Sequence, residues 1–160
     1  MKLPLRTRDL PLRIATGAYV LNSGLDKRGA DEETAQGVHG MAAGAYPFLK
    51  DVDPVTFTRL LSTAEITLGA ALLLPVVPSR IAGAGLTAFG SGLVGLYLRT
   101  PGTRRPNSLR PTEQGLALAK DSWLVGAGLN LLLGGDADRG ATRRNHRGRG
   151  LRRPSLTGRG

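Results

Sequence analysis

Cysteine is absent from this 160-residue chain, which excludes disulfides, thiol redox chemistry, iron–sulfur clusters and thiolate zinc sites within it. Histidine is nearly as scarce. His39 and His146 lie far apart in segments of different character, so a bis-histidine haem or a histidine-rich metal site is not expected within one copy. No catalytic triad, nucleotide loop or metal cluster can be drawn from the remaining residue types. The glycine pairs Gly83/Gly85 and Gly126/Gly128 sit inside apolar runs and lack the strand-to-helix context of a phosphate loop. Any electron-transfer role would have to draw on a bound quinone or a partner's cofactor.

Charge is missing from long stretches, and these set the class of the protein. Between Arg80 and Arg99, eighteen consecutive residues, Ile81 to Leu98, carry none. As a helix the run is roughly 27 Å long, against a bilayer hydrocarbon core of ~30 Å, and it reads as a membrane span. The mean hydropathy of −0.10 would suit a soluble chain. Residues 136–160 distort that average, because their eight arginines and two aspartates carry +6 of the formal +10. The expected architecture is an all-α integral membrane four-helix bundle over 1–135, followed by a disordered, arginine-rich cytoplasmic tail over 136–160.

Ile14–Leu25, helped by Leu10 and Leu12, forms the first expected span. Its basic approach also resembles a signal peptide, but no clear cleavage site precedes Asp26. Asp31, Glu32 and Glu33 suit the positive end of a helix dipole and predict a short interfacial helix over 34–46, ended by Pro47, with a plain loop as the alternative. Phe57–Val77 is the second span, and it should pair with the third as an antiparallel hairpin because so few residues separate them. Residues 100–111, with three prolines and three arginines, read as an extended connector. Leu116–Leu133 is the fourth span, interrupted by Lys120 and Asp121, with Trp123 placed for an aromatic belt.

The positive-inside rule puts the N-terminus and the tail in the cytoplasm, which requires an even number of spans. The loop 99–113 conflicts, since its four arginines and one glutamate would face outward. Three spans with a cleaved or peripheral N-terminus are the alternative. Arg143, Arg144, Arg147, Arg149, Arg152 and Arg153 of the tail suit orientation or anionic lipid head groups. No base-reading motif accompanies them, so nucleic acid is not an expected partner.

Arg13-Ile14-Ala15-Thr16-Gly17 and Gly24-Leu25-Asp26-Lys27 follow Arg-x-x-x-Gly and Gly-x-x-Lys patterns. Glu65 to Gly69, Leu72-Leu73-Leu74 and Arg80-Ile81-Ala82 follow Glu-x-x-x-Gly-x-x-Leu-Leu and Arg-x-Ala. In these features the chain resembles the DoxX-like family of small bacterial four-helix membrane proteins, over roughly residues 10–134. The resemblance implies a multi-pass cell-membrane protein. Some relatives are linked to quinone-dependent sulfur oxidation and others to membrane assemblies that handle oxidative and thiol stress; the fold is implied more strongly than a reaction. The basic tail and the arginine-rich loop depart from a minimal member. Eighteen arginines against four lysines fit a bacterium with a GC-rich genome.

Charged groups inside a bilayer are costly and are read first as functional. Glu65 lies about 12 Å into the second span counted from Phe57. Lys27 ends the first span, and Lys120 and Asp121 enter the fourth at a shallower depth, all in the outer half. Thr58, Ser62, Glu65 and Gly69 share one helix face, and Arg13, Gly17, Val20, Gly24 and Lys27 share another. Two such faces predict an interior pocket in which Glu65 takes Lys27 or Lys120 as its cation, or else a proton, and meets a small polar head group such as a quinone ring. A charge pair that fixes helix register is the competing account. Gly17, Gly24 and Gly69, and the stripe Ala84, Ala88 and Gly92, are expected to pack helices closely.

The resulting expectation is an auxiliary subunit of a membrane-associated redox or oxidative-stress assembly, with no metal or covalent cofactor. Its expected partners are the lipid bilayer, redox enzymes and a second copy of itself. A small oligomeric transporter or permeability factor is the alternative, and solute flux from the protein alone would separate the two.

Overall fold

The computed structural model describes residues 7–134, and over these the chain is all-helical. The six tail arginines named above, Arg143 to Arg153, lie outside the described residues. Helix α1 spans Leu10–Arg28, α2 Glu32–Ala45, α3 Pro54–Leu73, α4 Ser79–Arg99 and α5 Leu116–Lys120. After a turn at Asp121 the last rod resumes as α6 over 122–134.

Local chemistry explains the helix starts. Asp31 accepts the backbone N–H of Thr34 at 2.9 Å and Asp53 that of Thr56 at 2.8 Å, each capping the helix that follows. These bonds favour the ionised carboxylates and hold both below the usual aspartate range. The segment read as either an interfacial helix or a loop is therefore a capped helix, α2.

The helices associate through glycine. A Cβ at Gly69 would fall 2.6 Å from the Leu21 nitrogen, at Gly24 2.8 Å from the Ile66 nitrogen, and at Gly17 2.9 Å from Leu73 Cγ, so α1 and α3 touch backbone to backbone. On α4 the expected stripe is displaced. Ala84, Ala88 and Gly92 are exposed, and a Cβ at Gly92 would meet open space. Close approach falls instead on Gly83 and Gly90, whose Cβ positions lie 2.7 Å from the Leu132 nitrogen and 3.0 Å from the Val125 nitrogen of α6. The reason is that α4 carries two lines of small residues, and the one that turns inward is the one whose neighbours, Ala82 and Leu86, join the core. That core comprises Val20, Leu72, Ala82, Leu86, Leu124, Ala127 and Leu131, drawn from α1, α3, α4 and α6.

Arg13 organises one end of the bundle. It is 1% exposed, and all five of its N–H donors are used. Nε donates to the Leu72 carbonyl at 2.7 Å, Nη1 to Val77 and the Ser79 hydroxyl, and Nη2 to Ala71 and Leu74. Ala71 and Leu72 are carbonyls left open where α3 ends, at the negative end of its dipole, and Leu74, Val77 and Ser79 belong to the turn and helix start that follow. Arg8 donates to the Gly134 carbonyl, so the start of α1 and the end of α6 meet at this same end. The long helices thus alternate in direction, and α2 and the 100–112 segment lie at the other end.

Beside this apolar core, several polar side chains turn inward and several large apolar ones turn outward. Arg13, Thr16, Thr58, Ser62 and Glu65 are buried, while Ile14, Leu60, Ile81 and Leu133 are more than half exposed. Among the described residues two stretches, Ser79–Arg99 and Leu116–Gly134, are long and apolar enough to cross a membrane. Helices α1 and α3 fall short of that measure because inward Arg13 and Glu65 and exposed Asn22, Asp26, Arg28 and Arg59 lower their averages.

Candidate functional site

Ser23 and Lys27 are one turn apart on α1, and Lys27 reaches across to Glu65 of α3. Its Nζ lies 3.0 Å from Glu65 Oε2 and donates also to Ser23 Oγ at 2.7 Å and to the Ser23 carbonyl at 3.2 Å. The Glu65 side chain is 3% exposed and that of Lys27 22% exposed, so the carboxylate is enclosed and its cation stands at the mouth. Glu65 lies eleven residues into α3, roughly 16 Å from the helix start. One turn earlier on α3, Ser62 donates to the Gly24 carbonyl at 2.7 Å, which keeps the two helices in register.

Above the ion pair lies a cavity of about 740 Å³. Tyr19, Ser23 and Lys27 of α1, Phe57, Leu61 and Glu65 of α3, and Phe89, Gly92 and Leu93 of α4 form its sides, while Val38 and Met41 of α2 cover it. Its walls are mostly apolar, with Thr34 and Tyr46 contributed by α2 and its C-cap and with Tyr19, Ser23, Lys27 and Glu65 grouped on the α1–α3 side. Asp121 joins them from the break between α5 and α6 and accepts the Tyr19 hydroxyl at 3.2 Å. The Tyr19 ring meets that of Trp123 edge-on at 5.7 Å.

Three of the four charged residues singled out in the sequence, Lys27, Glu65 and Asp121, line this one space. Lys120 does not: it is exposed and absent from the cavity wall. Adjacent residues in helical backbone point about 100° apart, and Asp121 keeps αR dihedrals at the end of α5, so only one of the two can face the cavity. Glu65 therefore takes Lys27 as its cation.

Tyr19 and Tyr46 are site residues that the charge-based reading passed over. Tyr19 carries a signal, lying four and eight residues before Ser23 and Lys27 on the same helix face. Tyr46 carries none, since its role depends on a contact distant in sequence. Its hydroxyl donates to the Gly92 carbonyl at 2.8 Å, and the Arg99 guanidinium stands 4.9 Å above its ring, fastening the end of α2 to α4. His39, also on α2, meets the Leu49 carbonyl at 2.9 Å through Nε2 and packs edge-on against Phe57. It is a structural side chain, and among the described residues no group of His, Asp and Glu could hold a metal ion.

No family model matches the chain, and neither a curated protein nor a solved structure does.

Proposed function

We propose that this is a four-span cell-membrane protein of DoxX-like type, an auxiliary subunit of a redox or oxidative-stress assembly, whose cavity holds a quinone-like amphiphile. The observation that carries the reading is a largely apolar chamber with a buried carboxylate, an ammonium and a phenol on one wall. Such a chamber suits a ligand that is mostly hydrocarbon and ends in a small ring bearing oxygen acceptors. Lys27 would turn one N–H from the Ser23 carbonyl, its longest bond, to a ligand carbonyl. Reduction of that ring to the quinol takes up two electrons and two protons, and Glu65 would relay the protons one at a time, regaining each from solvent. The electrons would come from a partner.

The outward leucines and isoleucines support the lipid setting, because apolar surroundings favour them, and the inward Arg13 and Glu65 are kept from those surroundings by their partners. In this reading α1, α3, α4 and the α5–α6 rod cross the bilayer and α2 lies at the outer interface. The N-terminus and the tail face the cytoplasm.

Trp123 is the chain's only tryptophan and touches a cavity-lining ring, so its fluorescence reports occupancy. Titrating a short-chain quinone into the protein in lipid nanodiscs should give saturable quenching. Glu65→Gln should weaken it about tenfold, as expected for loss of a charged hydrogen-bonding partner. Non-saturable quenching, or equal affinity in the variant, would overturn the ligand reading.

A further inference from the structure

The segment after α4, expected as an extended connector, is a folded hairpin. Pro106 and Asn107 occupy the central positions of a turn closed by the Ser108 N–H on the Arg105 carbonyl at 3.1 Å. Asn107 has φ 54°, the left-handed value that the third position of a type II turn requires. Two further backbone bonds, Arg105 N–H to the Arg110 carbonyl and Thr112 N–H to the Thr103 carbonyl, both at 2.9 Å, pair its arms. The hairpin is fastened to its helix as well: buried Thr103 donates to the Tyr97 carbonyl, and the Tyr97 hydroxyl donates to the Leu109 carbonyl, each at 2.7 Å.

This frame holds Arg104 and Arg105 in solvent at a cleft of about 530 Å³ that has no acidic lining residue, and exposed Arg110 stands outside that cleft, opposite Arg105 across the hairpin arms. Arg104 bonds the Leu98 carbonyl at 2.7 Å, whereas the guanidinium groups of Arg105 and Arg110 form no hydrogen bond or ion pair among the described residues. Between them Leu109 is 72% exposed. Its carbonyl sits at the level of Tyr97, two residues short of the end of α4. A helix of this length rises roughly 31 Å, close to the ~30 Å hydrocarbon core, so its end marks the head-group boundary.

We infer that this hairpin binds the phosphate of an anionic phospholipid, with Arg105 and Arg110 on the phosphate oxygens and Leu109 set into the acyl chains beneath. The inference rests on the membrane reading above. It also accounts for a basic loop on the outer side, where the positive-inside rule gives it no place. A free inorganic phosphate would use the arginines but have no use for Leu109.

Native mass spectrometry of the detergent-purified full chain, titrated with phosphatidylglycerol or phosphatidylcholine, tests it. Binding should favour phosphatidylglycerol. With roughly fivefold per basic residue near an anionic surface, the double variant R105Q/R110Q should lose about 25-fold, while R59Q, an exposed arginine on α3 near the same end, should change little. L109S should weaken phosphatidylglycerol several-fold. No lipid preference, or equal loss in R59Q, overturns the site. Displacement of the lipid by millimolar inorganic phosphate, with L109S unchanged, overturns the lipid in favour of a soluble anion. Failure of the membrane reading shows separately, as protein left in the supernatant after ultracentrifugation without detergent, and would end both proposals.

Discussion

Arg13 and Glu65 are two charged side chains buried in one bundle, and they are satisfied in different ways. Glu65 has a cation, while Arg13 spends its five donors on the carbonyls and hydroxyl around the α3–α4 turn. Each solution avoids the cost of an unpaired buried charge. The consequences of substitution differ accordingly. Arg13→Met leaves the Ala71, Leu72 and Val77 carbonyls without the donors they have here, Leu74 keeping the Val77 N–H, and at 1–3 kcal/mol for each group left unsatisfied the loss should be about 3 kcal/mol or more. The expected readout is a melting midpoint in detergent lower by roughly 10 °C, with Arg13→Lys recovering little because an ammonium has three donors and no fork. A midpoint within a degree or two of wild type would show that the turn has another support. Glu65 could be singled out in the sequence as a charge inside an apolar run, whereas Arg13 showed only as the first member of an inward helix face, at the edge of its expected span. Which of them met a charged partner and which met backbone could not be read there, because the carbonyls that receive Arg13 exist only once α3 has ended at Leu73.

At the scale of the helices, glycine separates contact from surface. The α1–α3 interface depends on Gly69 lying against the Leu21 backbone, whereas Gly126 on α6 faces open space. Gly69→Ala should push the helices apart and destabilise by about 1–3 kcal/mol. Gly126→Ala should be neutral or stabilising by up to about 1 kcal/mol, through helix propensity alone. Paired melting curves would check the sign, and equal effects would mean that the described packing is not the one present in lipid. The same contrast shows why half of the packing pattern was legible. On α1 and α3 the small residues share a face with the chain's polar stripe, so one periodicity points to both. On α4 small residues occupy several faces, and periodicity alone cannot choose between Ala84, Ala88 and Gly92 on one side and Gly83 and Gly90 on the other.

For the whole molecule, the alternating helices place α2 and the 100–112 hairpin at one end and the α3–α4 turn at the other. In the proposed orientation Lys50→Cys and Glu113→Cys, both exposed, should label from outside intact cells, and Val76→Cys only after permeabilisation. The natural chain has no cysteine to interfere. The reverse pattern would invert the topology, and labelling of all three from one side would refute four spans. Length, uncharged runs and periodicity by themselves determined that the chain is helical, where its long helices lie and which faces of α1 and α3 turn inward, since those properties follow from the spacing of apolar and polar residues along one helix. Only the tertiary structure decided that Glu65 pairs with Lys27 and not Lys120, that α2 roofs a cavity through Tyr46, and that the arginine-rich connector is a pinned hairpin. Each of those depends on contacts between residues far apart in the chain, and local spacing carries no information about which distant surface a side chain will meet.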